Sequence, residues 1–283
     1  MLKLFERTRT INDNKLTIVI GKNKDILRNM IYYIPWIEDF NMYNFRKADF
    51  AINVEDDGFL SCFDNKNTTP IFHGGIKPYQ VSSIIIVEDL ISYDFLRSFH
   101  NLESLYLENT YNLKDISFIE GMINLNYLSI NGSKVDSIDS IIKLIKNQLN
   151  FIEEVKGEDY YYGTHLLSHL AITNSNISDI SKFANVDLQL FELVLSRNKI
   201  ENANAIIGKN INNIDLSNNL IKDVKEIVSS RSSENNRSMV SSNLLILSNN
   251  PIETIFTEKQ LEEISKHCRL ILPKNCYDKA SIS

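Results

Sequence analysis

Residues 212–224 read NNIDLSNNLIKDV, and with Asn210 just upstream they gather five asparagines around Ile214, Leu216 and Ile221. From Ile211 onward the apolar positions follow one spacing, Ile211, Ile214, Leu216, then Asn219 and Ile221. The alternation around 214 and 216 predicts a short strand with one face inward. The asparagine that follows it is either part of a polar binding site or part of the frame that holds such a site.

The spacing recurs along the chain. Leu190, Leu193, Leu195, Asn198 and Ile200 repeat it 21 residues earlier; Leu245, Leu247, Asn250 and Ile252 repeat it later, with Ser242 in the first slot. Four weaker copies begin at Val81, Leu102, Leu125 and Leu167, with Asp89, Thr110, Ser133 and Ser175 in the asparagine slot and Ile91, Val135 and Ile177 after it. Seven units result, four of the six steps between them being 21 or 23 residues. A period near 22 with this signature resembles the leucine-rich repeat family, and the segments NLKDISFI and NISDISKF resemble its short SDS22-like and internalin-like bacterial type. The resemblance implies an α/β fold, a curved solenoid with a parallel β-sheet on its concave side.

A single unit of this length cannot bury its own apolar face, so the units must stack. Stacking brings the strand-end asparagines into register, where an amide can donate to and accept from backbone groups of its own turn and of its neighbour's. Asn198, Asn219 and Asn250 are therefore frame. Hydroxyls at 110, 133 and 175 do only part of that work, so the first four units should be less regular.

Two steps are long. After the third unit Ile141, Ile145, Leu149 and Ile152 fall at helical spacing, which predicts a helix before an insertion near 147–163. That insertion contains Tyr160, Tyr161 and Tyr162, whose rings either cover the helix or meet a partner. The second insertion, near 229–241, is polar with almost no apolar anchors and reads as a mobile loop. The open ends of the stack need caps. Residues 253–283 offer a capping box at Thr257 and Gln260, a helix, and a last strand at 270–272. Residues 1–80 read as an α/β N-terminal cap or flanking domain, with a strand at Leu16–Ile20, a helix over 24–34 and a hairpin over 49–63 turning at Asp56-Asp57-Gly58. The repeats thus occupy 81–252.

A net charge of −6 argues against nucleic acid, which calls for a concentrated basic surface. No apolar run is long enough for a signal peptide or a membrane span, which points to the cytoplasm or to export without a cleaved signal. Cys62, Cys268 and Cys276 have no metal-ligand spacing. No phosphate loop, nucleophile elbow or zinc-protease motif is present, and His165 and His169 lose their helical spacing in the strand register. No cofactor or metal is implied. Cys62-Phe63-Asp64 resembles the Cys-x-Asp of bacterial ubiquitin ligases that carry leucine-rich repeats, but here it precedes the repeats and lacks the following helical domain. The chain reads as non-catalytic.

Alternation also predicts the residues that face outward on the concave sheet. Among them Tyr106, Glu108, Tyr127, Asn131, His169, Thr173, Glu192 and Asp215, with Arg197 on the rim, form a candidate protein-binding site. Tyr106, Tyr127 and His169 would stack over successive units, ringed by charges of both signs. Asn213 and Asn218 would be open to solvent. The expected function is binding of a protein partner by a recognition factor, effector or inhibitor. The alternative is a regulatory or scaffold subunit whose 1–80 region carries the activity.

Overall fold

The computed structural model describes residues 16–21, 31–32, 46–47, 50–53, 78–155, 166–231 and 244–276. One strand per repeat forms at the predicted places: β5 (Val81–Ile86), β6 (Ser104–Glu108), β7 (Tyr127–Asn131), β8 (His169–Thr173), β9 (Gln189–Val194), β10 (Asn210–Asp215) and β11 (Leu244–Ile246). They lie side by side in chain order, all parallel, and β12 (Arg269–Ile271) closes the C-terminal edge. Two N-terminal strands extend the same sheet, β1 (Leu16–Gly21) beside β5 and β4 (Phe50–Asn53) outside β1. The described residues thus form a leucine-rich-repeat solenoid with ten parallel strands in one sheet.

Each strand turns its alternate aliphatics into a single core that runs from Ile18 to Cys276. Leu105 and Leu107, Leu193 and Leu195, Ile214 and Leu216 are all fully buried there. Across the core from the sheet the connections are mostly 3₁₀ turns, at Asp94–Ser98, Ser117–Gly121, Ser181–Asn185 and Asn204–Ile206. Asp115, Asp179, Asn202 and Asp223 open such connections by accepting the backbone N–H two residues on, at 2.8 to 3.1 Å. These short loops fix the start of each convex segment and went unread in the sequence.

The long third connection is α1 (Asp139–Val155), with Ile141, Ile145 and Ile152 buried and Leu149 packed against the core. Gln148 on this helix donates to the carbonyls of Ile123 and Leu125 and accepts from the Leu167 N–H, so it ties the third repeat to the fourth. The helix therefore loops outward and leaves β7 and β8 paired. The sixth connection carries α2 (Lys225–Arg231), and the C-terminal cap is α3 (Glu258–Ser265) followed by β12. Thr257 and Gln260 form the reciprocal capping box.

The asparagine ladder is continuous over the last three full repeats. Asn198 donates to Ile172 and Leu195 carbonyls and accepts from Ile177 N–H; Asn219 does the same with Leu195, Leu216 and Ile200, and Asn250 with Leu216, Leu247 and Ile221. Each amide closes its own turn and reaches back one repeat. Towards the N-terminus the ladder degrades. Ser133 and Ser175 bond mainly to each other at 2.8 Å, and the fully buried Thr110 hydroxyl has no hydrogen-bond partner. Thr110→Val is accordingly expected to leave stability unchanged or raise it by up to about 1 kcal/mol, because it removes an unsatisfied group while keeping the shape. Urea midpoints of the two proteins test this.

Two expectations change, and others fall outside the described residues. In the first repeat Ile91 is 88% exposed and Leu90 fills the core position, because the Asp89 side chain accepts Asn112 N–H while the Tyr93 hydroxyl holds Leu90 N–H. Of the helix expected over 24–34 only 31–32 is described, and it is a strand, β2 (Ile31–Tyr32), paired antiparallel with β3 (Arg46–Lys47). Of the hairpin expected over 49–63 only β4 is described; Cys62, the Tyr160–Tyr162 run and residues 232–243 of the second insertion lie outside the described residues, while Ser229–Arg231 end α2.

Candidate functional site on the concave face

Strand register sorts the outward side chains into three columns. The first runs Ser104, Tyr127, His169, Glu192, Asn213, Leu244, Arg269; the second runs Ile85, Tyr106, Ser129, Ala171, Val194, Asp215, Ile246, Ile271. The third carries Glu108, Asn131 and Thr173. Of the predicted residues, Tyr127 and His169 meet directly, their rings stacked at 4.4 Å and 12°. Tyr106 does not join them. It lies in the second column opposite Ser129, two residues further along the strand, and is only 4% exposed.

A different ring completes the ridge. Phe191 lies 5.2 Å from His169 at 47°. Simple alternation points residue 191 inward, but the N–H groups of Phe191 and Glu192 both donate to the Ser168 carbonyl, which skews the strand entry and leaves Phe191 partly exposed beside His169. The signal in the sequence was an aromatic at a position where other repeats carry Glu103, Asn126, Ser168 and Asn212.

Behind the ridge stands a polar relay. Asn126 Nδ2 donates to the Leu166 carbonyl at 2.7 Å, which fixes the amide so that Oδ1 accepts from Ser168 Oγ at 2.6 Å. Having spent its one proton there, Ser168 Oγ must accept from His169 Nδ1, also at 2.6 Å. The proton of His169 is therefore on Nδ1, and burial, which pulls its pKa from 6.5 down to about 4, keeps the ring neutral. In the third column Asn131 donates to Glu108 at 2.8 Å and accepts from Thr173 at 3.1 Å, so three predicted residues form one short network. Desolvation by burial raises the Glu108 carboxyl, opposed by that Asn131 bond.

Two further expectations are corrected. Asn213 is 1% exposed, not open to solvent, because the longer Glu192 and Leu244 stand on either side of it in the first column. Glu192 is itself buried between His169 and Asn213, so it is not a rim charge. Asp215 is half-buried, and its carboxyl is raised by desolvation against the lowering effects of the Ser217 hydrogen bonds and of Arg197. Arg197 is exposed on the rim, as are Asn109, Asn174, Asn218 and Asn249, each with φ of 50 to 58°. That left-handed turn at the end of each strand favours asparagine, whose short polar side chain tolerates it.

Among the described residues no three His, Cys, Asp or Glu side chains come together as a metal site, and no helix is long and apolar enough to cross a membrane. No protein-family model matches the chain, and no curated protein matches it. Solved structures do. Internalin C2 of Listeria monocytogenes is 16% identical, with a TM-score of 0.42, over 65% of this chain and 76% of that one. A leucine-rich-repeat protein of Leptospira interrogans is 17% identical, with a TM-score of 0.43, over 69% of this chain and 51% of that one. A plant ice-binding protein is 14% identical, with a TM-score of 0.44, over 68% and 64%. These are likenesses of architecture alone.

Proposed function

We propose that the protein is a non-catalytic interaction module that binds a protein partner on the concave face of its sheet. The observation that carries this reading is the ridge Tyr127, His169 and Phe191, three rings on three adjacent strands and all partly exposed. Aromatic side chains give large contact area at low entropic cost, and nothing in the core requires rings on the outer face of the sheet. Glu108, Asn131, Thr173, Arg197 and Asp215 border the ridge as the polar margin of the same surface. Tyr106 and Glu192 lie on the same face but are covered by their neighbours, so they are not counted among its contact residues.

The test pairs capture with substitution. The protein is used as bait in a lysate of its source, captured proteins are identified by mass spectrometry, and Tyr127→Ala and Phe191→Ala are compared with the convex control Lys146→Ala. Each concave variant should weaken binding of the captured protein at least several-fold, since loss of a central aromatic anchor costs over about 1 kcal/mol, while the control binds as before. A partner held equally by all four proteins would move the binding surface elsewhere.

A further inference from the structure

The second concave column holds an inconsistency that the fold does not need. Across β8 to β12 it presents Ala171, Val194, Asp215, Ile246 and Ile271, four aliphatic side chains with one carboxylate among them. Val194 and Leu244 make an apolar cluster apart from the main core, with Ala171, Ile246 and Ile271 packed against it. Asp215 is flanked in register by Val194 on one strand and Ile246 on the next. For folding alone an aliphatic residue would suit the position better, because a carboxylate loses hydration there.

Its partners within the chain leave acceptor capacity unused. The Ser217 N–H donates to Oδ1 at 2.8 Å, the Ser217 hydroxyl adds a second bond, and Arg197 acts on the carboxylate by its charge, while a carboxylate can accept about four. A half-buried carboxylate within an aliphatic strip is complementary to a cation with several N–H groups carried on an apolar stem.

Resting on the concave-face reading above, we infer that the strip takes a segment of a partner protein presenting aliphatic side chains with one lysine or arginine between them, and that Asp215 selects that cation. An acidic or purely apolar segment is disfavoured, the first by repulsion and the second by taking further water from Asp215 without bringing a cation to it.

Random peptides test this without an identified partner. A displayed library of peptides of about twelve residues, twice what is needed to cross the ~19 Å of five strands, is selected on the immobilised full chain. Selections run in parallel on Asp215→Asn, on Asp215→Lys and on the double variant Tyr127→Ala/Phe191→Ala, each first checked for an unchanged melting temperature. On the wild type, a lysine or arginine flanked by aliphatics should be enriched about fivefold or more over the library, a modest gain for one charge pair. On Asp215→Asn that preference should vanish while the aliphatic preference stays, and on Asp215→Lys an acidic residue should replace the basic one. Aliphatic peptides without a basic preference, or one unchanged in Asp215→Asn, overturn the role of Asp215 and leave the concave reading intact. Failure to select any peptide overturns both, and equal selection by the Tyr127/Phe191 variant overturns the ridge as the anchor of the concave site.

Discussion

Asn219→Ala is expected to cost about 2–4 kcal/mol, with Asn198 and Asn250 comparable because they make the same three bonds. The amide fills three roles at once, donating to the Leu195 and Leu216 carbonyls and accepting from the Ile200 N–H. It is 4% exposed, so water cannot replace it, and each buried group left without a partner costs about 1–3 kcal/mol. The right control is Asn218→Gly. Asn218 is exposed with φ of 55°, so alanine there would add about 1 kcal/mol of backbone strain that has nothing to do with the ladder, whereas glycine adopts the turn freely. Denaturant midpoints should separate the two variants clearly. Equal midpoints would mean that the ladder is decoration and that apolar packing alone holds the turns.

The second large effect is a dependence of stability on pH that originates in His169. Its folded pKa of about 4 lies below the ordinary 6.5 that it regains on unfolding. Above pH 6.5 neither state binds the proton, and stability does not change on this account. Between 6.5 and 4 the unfolded state takes up a proton that the folded state refuses, so stability falls with falling pH, by at most about 1.4 kcal/mol per unit and about 3 kcal/mol in all. Glu108 and Asp215 act with the opposite sign: desolvation raises both, so the folded state protonates first and acid favours folding through them. Both carboxylates are kept in His169→Phe, so the difference between that variant and the wild type isolates the histidine. Asp115, Asp179 and Asp223, lowered by the backbone N–H groups that they accept, add acid lability only below 3.8. His169→Phe keeps a ring against Tyr127 and removes the titration. Urea midpoints from about pH 8 to about pH 5 should fall for the wild type relative to the variant; parallel curves would show that His169 is solvated and titrates normally.

Local features of the fold were legible without the structure. The spacing of Ile211, Ile214, Leu216, Asn219 and Ile221 determined the repeat, the strand, the inward face and the role of the asparagine, because each depends on residues within one unit and its neighbour. A period of two along the strand and a buried amide at its end admit one register. The helix at 139–155 and the capping box at Thr257 were legible on the same ground, since helical periodicity and cap chemistry are local.

What the sequence left open was everything decided across strands. It placed Tyr106 in the aromatic ridge and left Phe191 out, because alternation along one strand does not report which residues of adjacent strands share a column, nor that two N–H groups crowd onto the Ser168 carbonyl. It took Asn213 and Glu192 for surface groups, although a short side chain between longer ones is covered whichever way it points. It expected Ile91 in the core, where the Asp89 and Tyr93 hydrogen bonds admit Leu90 instead. The frame is a property of the period and so was determined by the sequence by itself. The exposure, pairing and ionisation of the concave side chains depend on neighbours about 20 or more residues away in the chain, and only the stacked structure brings those within reach.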